Sequence, residues 1–162
     1  MPRIKSNKTG TKTNESAKLR DSRLSSVSDT YQLMSIMLEY ESAASKTGLD
    51  LATGRFKMLT SAERQFLRAE LIADFIRLSV GNMGNTPGYY DHNFPNFCNK
   101  ICDLELPSHE LMGTFLAAIE LATMEEPLKE ISGIQDAMRK TILEVLSHCV
   151  DILKHRSEKL AA

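Results

Sequence analysis

Histidine, cysteine and carboxylates at helical spacing are the groups in this chain with chemistry to offer, and they are densest in TILEVLSHCVDIL, residues 141–153. On a helix, Glu144 falls one turn before His148 and Asp151 one turn after it, with Thr141 and His155 extending the same polar stripe. Carboxylates at those positions favour the imidazolium, although exposed pairs of this kind contribute only a few tenths of a kcal/mol. The stripe can serve as a solvated ladder, as a contact surface for a partner, or as a metal site built from Glu144, His148, Asp151 and His155. Successive turns of one helix cannot alone surround an ion, which counts against the metal. As an exposed side chain, His148 should be replaceable by alanine at a cost of no more than about 0.5 kcal/mol.

Cys149 lies beside His148 in sequence but on the apolar face, where no histidine or lysine on its own stripe can generate a thiolate, so it reads as a small buried hydrophobe. Cys98 and Cys102 are one helical turn apart with His92 nearby, too few ligands for a zinc site, and they read as core. The glycines of GNMGNTPG lack the Gly-Lys-Ser/Thr that cradles phosphate. No nucleophile and base pair stands out, so no catalytic residue, cofactor or metal is expected.

The surroundings of these groups follow from composition. A chain of 162 residues with 42% apolar content fits one domain with a core. No apolar run approaches the roughly 18 residues of a membrane span, and the N-terminus has no signal-like apolar centre, so a soluble cytoplasmic protein is expected. Three cysteines are odd in number and sparse, as reduced thiols would be. The formal charge of -1 hides an asymmetry: residues 1–26 carry Arg3, Lys5, Lys8, Lys12, Lys18, Arg20 and Arg23 against Glu15 and Asp21, a net +5, leaving -6 for the rest. That stretch has almost no large apolar residues to offset its ordering entropy and reads as a disordered basic tail. It is either a solubilising arm or an attractor of nucleic acid or an acidic partner.

Beyond it the chain is written in helical code. An additional N-terminal helix is expected over 27–48, with Leu33, Met34, Met37, Leu38 and Ala44 at helical spacing and a stop at Gly48. Thr60 and Glu63 form a capping box for a helix ending near Val80, after which GNMGNTPGYYDHN reads as loop. Pro95 suits the first turn of a short helix carrying Phe97, Cys98, Ile101 and Cys102, Pro107 and Ser108 announce the next, and Pro127 ends or bends that one. Ser132 and Gln135 make a second capping box before a last helix from about Gly133 to Arg156. Nothing alternates with period two, so the fold class is all-α, a four- to five-helix bundle.

On the last helix Met138, Ile142, Val145, Cys149 and Ile152 form one apolar stripe, and Leu143, Leu146, Val150 and Leu153 an adjoining one. An apolar face that wide exceeds what a single core needs, which points to a symmetric dimer with Leu143, Leu146, Val150 and Leu153 at its interface.

RKTILEVLSHCVDIL, residues 139–153, also resembles the closing helix of the KaiA C-terminal and RsbU N-terminal domain superfamily. Arg139, Thr141, two aliphatics, Glu144, Val145, an aliphatic, a small residue and then His148 stand in that family's order. LPSHELMGTFLAAIEL is placed as its preceding helix would be, and the break after LIADFIRLSV resembles the one after the family's first helix. The preceding helix departs from the pattern, lacking the family's histidine and acidic residues, and the cysteine is adjacent to His148 rather than two residues on. The resemblance implies a KaiA/RsbU-like bundle over 60–158, a homodimer, and a binding module that regulates a kinase, ATPase or phosphatase system. It also implies that the surface carrying His148 contacts the partner, and Glu144, Asp151, Arg139 and His155 are the further candidates for that contact.

The sequence therefore points to a non-enzymatic, homodimeric helical interaction module that takes a peptide segment of a regulatory protein partner. The alternative is a nucleic-acid-associated dimer that holds phosphates with its basic tail.

Overall fold

The computed structural model describes residues 30–47, 55–84, 88–125 and 128–161. The basic tail over 1–26, the stop at Gly48, the middle of the glycine-rich segment (85–87) and Pro127 lie outside the described residues. Those described form five α-helices and two short 3-10 turns, with no strand among them. None of their helices is long and apolar enough to cross a membrane. The first helix, α1, covers 30–46, and the chain divides into two units within it, after Ser35. Of the first unit, residues 30–35 are described, and they are helical.

The second unit begins at Ile36 and contains the bundle. Its part of α1 buries Tyr40, Ala43 and Ala44, and the Tyr40 hydroxyl donates to the Leu106 carbonyl at 2.8 Å. Leu38, expected on the apolar face, is 66% exposed instead. A 3-10 turn at Arg55–Met58 plants Phe56 in the core. Helix α2, Ser61–Asn82, starts where the capping box requires: Thr60 Oγ1 accepts the Glu63 N–H at 3.2 Å and donates to its carboxylate at 3.0 Å.

Helix α3, Tyr89–Asp103, begins six residues before Pro95, which sits inside it. Gly88 makes this start feasible, since its φ of 80° is a left-handed conformation that glycine adopts without strain. The segment YYDHN, expected as loop, is therefore the first turn and more of a helix. Helix α4, Ser108–Met124, follows Pro107 as expected. A 3-10 turn at Leu128–Glu130 leads to α5, Ile134–Ala161. Gly133, at φ 78°, directly precedes α5, so the helix begins one residue too late for Ser132 to cap it through Gln135.

Side-chain pairs fix the topology. α2 and α3 run antiparallel, joined by Lys100 and Glu70 at 2.6 Å and brought close at the other end, where a Cβ on Gly81 would come within 2.8 Å of the Tyr89 ring. α3 and α5 run parallel, with Tyr90 against Glu144 at one end and Asp103 bonded to Arg156 at 2.7 Å at the other. α2 and α4 are also parallel: Arg68 meets Glu110, and Phe75 meets Phe115 at 4.9 Å between ring centres. Phe75 also faces Phe97, and the core continues through Leu71, Leu78, Ile101, Met138, Val145, Leu146 and Leu153. α5 packs against α2, α3 and α4, so its wide apolar face is covered on several sides within one chain.

The fork between Arg68 and Glu110 is bidentate, at 3.0 and 2.8 Å. The Arg68 guanidinium holds the Glu110 carboxyl below the usual carboxylate range, against the opposing effect of partial burial. A depressed native pKa contributes stability that is fully present above the unfolded value, near 4.3, and is lost as pH falls through the native one. With Arg68 partly exposed the pair is worth about 1 kcal/mol or less. Denaturant titrations should find Glu110→Gln less stable than wild type by that amount at pH 7. The difference should close below pH of about 4.

Candidate functional site

The parallel pairing of α3 and α5 creates a shallow groove of about 450 Å³, lined by Tyr90 and Phe94 from α3 and by Leu143, Glu144, Ser147, His148 and Asp151 from α5. Its floor is aromatic. The Tyr90 and Phe94 rings stack at 5.0 Å with 25° between planes, and Phe94 meets the His148 ring at 5.2 Å, tilted by 46°. Contacts at these distances and angles suit the edge and face charges of the rings.

One carboxylate is locked into this floor. Glu144 Oε2 accepts the Tyr90 hydroxyl and the Asn82 amide, the latter at 3.3 Å, and Lys140 stands 3.8 Å from Oε1. Asn82 also donates to Thr141 Oγ1 at 3.0 Å, tying the end of α2 into the network. Burial, and then the bond to Glu144, push the Tyr90 phenol well above its ordinary value, so it remains a donor. Asp151 is exposed at the rim, and no described residue forms an ion pair with it.

The groove gathers only part of the residues singled out from sequence. His148, Glu144 and Asp151 line it, but His148 is half-buried beneath Phe94 rather than largely exposed. Thr141, expected on the polar face, is fully buried and donates to the Ala137 carbonyl at 2.7 Å. Arg139 points elsewhere, 3.6 Å from Asp136, and His155 is exposed beyond the groove. Of the expected dimer residues, Leu146, Val150 and Leu153 are 0%, 3% and 1% exposed. They are covered by the chain's own helices and have no surface to give a second subunit. Leu143 alone reaches the surface, half-buried in the groove wall.

Tyr90 and Phe94 are the groove residues that the sequence did not single out. The signal for them was the spacing of Tyr90, Phe94, Phe97 and Ile101, which continues one apolar face straight through Pro95.

Beneath the groove the two helices interlock through cysteines. Cys98 Sγ lies 3.8 Å from the Val145 carbonyl, Cys102 Sγ 3.8 Å from that of Cys149, and Cys149 Sγ 3.7 Å from that of Cys98. All three are free and buried, as expected. The contact with Cys149 and then burial push the Cys102 thiol far up. For Cys149 the contact with Cys102 works downward, but the contact with Cys98 and burial outweigh it. Thiols held protonated in this way are poor nucleophiles. Among the described residues, no three or more histidine, cysteine or carboxylate side chains converge where they could hold a metal ion. What the arrangement offers is recognition: ring faces, one fixed carboxylate and one free carboxylate.

Comparison with protein-family models, with curated proteins and with solved structures yields no match to this chain.

Proposed function

We propose that this protein is a helical interaction module that works by binding rather than by catalysis, regulating a partner protein by taking one of its segments into the α3–α5 groove. The observation that carries this reading is the groove itself, where rings from one helix and carboxylates from another meet in a cleft wide enough for a peptide side chain and its neighbours. The burial of the three thiols, with those of Cys102 and Cys149 pushed up, supports the non-catalytic part. The resemblance of α5 to the KaiA/RsbU-like superfamily supports a kinase, ATPase or phosphatase system as the regulated partner.

The module is proposed to act as a homodimer, through a surface other than the one expected on α5. Leu116 and Met124 of α4 are 58% and 66% exposed, and Glu120 is the only charged residue from Gly113 to Met124. This face carries one exposed carboxylate, Glu120, against the two of the groove, so its self-repulsion on meeting its own copy across a twofold axis is the smaller. Light scattering should return a dimer at tens of micromolar, and Leu116→Glu should convert it to monomer without lowering the melting temperature. A wild-type mass of one chain would reject the dimer.

Ser147→Arg tests the binding function. Ser147 is exposed within the groove, so arginine there should fill the cleft and leave the core untouched. Affinity capture followed by mass spectrometry should recover a protein with the wild type that is absent with the variant. Equal recovery of every protein by both would refute the groove reading.

A further inference from the structure

We infer that the α3–α5 groove is selective for a cationic side chain, arginine above lysine, on the segment it takes. This rests on the reading of the groove as a peptide site and adds what that site recognises.

The ring faces and the two carboxylates of the groove favour a cation. The faces of Tyr90 and Phe94 carry the negative side of the ring quadrupole, which attracts a guanidinium or ammonium within about 6 Å. Glu144 supplies a carboxylate that two donors, the Tyr90 hydroxyl and the Asn82 amide, hold in one orientation. That carboxylate is only partly offset by Lys140, at 3.8 Å. Asp151 supplies a second carboxylate, exposed and free of ion pairs with described residues. A neutral segment would leave Asp151 without a counter-charge, and an acidic one would be repelled.

Arginine fits better than lysine for a geometric reason. Its guanidinium is planar, so it can lie flat on an aromatic face while its edge donates two parallel hydrogen bonds to a carboxylate, and the groove lines up both kinds of group. Lysine presents a compact charge that can satisfy the carboxylate or sit over the rings, with less gained from doing both. Leu143 leaves an apolar shelf in the same wall for the methylene stem or an adjacent aliphatic residue.

Random 12-residue peptides displayed on phage, selected on the intact protein and sorted by loss of binding to Ser147→Arg, provide the test. The groove-dependent peptides should be enriched in arginine. For one such peptide made synthetically, replacing its arginine with isosteric, uncharged citrulline should weaken binding at least about tenfold by fluorescence anisotropy, and lysine about threefold. Asp151→Asn, an exposed isosteric change, should weaken the arginine peptide about threefold to fivefold and leave the citrulline peptide unaffected. Groove-dependent peptides without basic residues, or equal binding of the arginine and citrulline forms, would overturn the cation selectivity while leaving the groove as a binding site. If no selected peptide responds to Ser147→Arg, both the selectivity and the groove reading fail.

Discussion

Val150→Glu should unfold the chain. Val150 is 3% exposed, packed between α5 and the helices around it, where a carboxylate is cut off from water. The cost of burying an unpaired charge, added to that of losing a well-packed aliphatic, is expected to exceed about 4 kcal/mol. That is most of the stability of a marginal domain, which runs from about 5 to 15 kcal/mol. Circular dichroism at 25 °C should show loss of the cooperative melt. Leu143→Glu, seven residues earlier on the same sequence stripe but at the surface, should cost about 1 kcal/mol or less and melt cooperatively. A Val150→Glu protein that melts within a few degrees of wild type would mean that this stripe is not core.

Phe94→Ala should have the largest effect on binding. Phe94 touches both Tyr90 and His148, so its loss removes the centre of the aromatic floor and frees both neighbours to move. Binding of a groove-dependent peptide is expected to fall at least about tenfold, equivalent to about 1.4 kcal/mol, as for a central aromatic anchor. Stability should fall by about 1 to 2 kcal/mol, because the ring is only half-buried. The same contact revises the expectation for His148→Ala, from a near-neutral surface change to about 1 kcal/mol. Unchanged anisotropy titrations with Phe94→Ala would remove the aromatic floor from the mechanism.

Half of the site was legible in the sequence, and the reason lies in how far apart its halves are. The stripe of Glu144, His148 and Asp151 is a property of one helix, and a period of 3.6 places it whatever the rest of the chain does. Its opposite wall is not local: Tyr90 reaches Glu144 from 54 residues away. Pro95 hid that wall. Read alone, the ring suggests the first turn of a helix, because it lacks an N–H and clashes with the preceding turn. In the protein, Gly88 starts α3 earlier, and the packing of Tyr90 and Phe94 on α5 holds the turn that the proline weakens.

The width of the apolar face on α5 was legible, but its cause was not. A face that wide can mean a second subunit or a central position, and sequence period alone does not separate the two. α5 meets α2, α3 and α4, so Leu146, Val150 and Leu153 are consumed inside the chain. The helix starts marked by Thr60 with Glu63 and by Pro107 with Ser108 came out where the sequence placed them, the first through a side-chain cap and the second through the fixed turn of the proline. Starts set by a left-handed glycine, at Gly88 and Gly133, were displaced, since glycine marks a helix end as readily as a beginning.

The interlocked cysteines give the α3–α5 seam a built-in clock. With all three thiols sealed, a small alkylating reagent can reach them only in the moments when the two helices part, so the rate of modification counts those openings. Anything that spans the groove above must hold the same two helices together, slowing the count by a factor of about one plus the ligand concentration over its Kd. Occupancy can thus be read from mass added to the protein, with no label on the ligand, whatever its chemical identity.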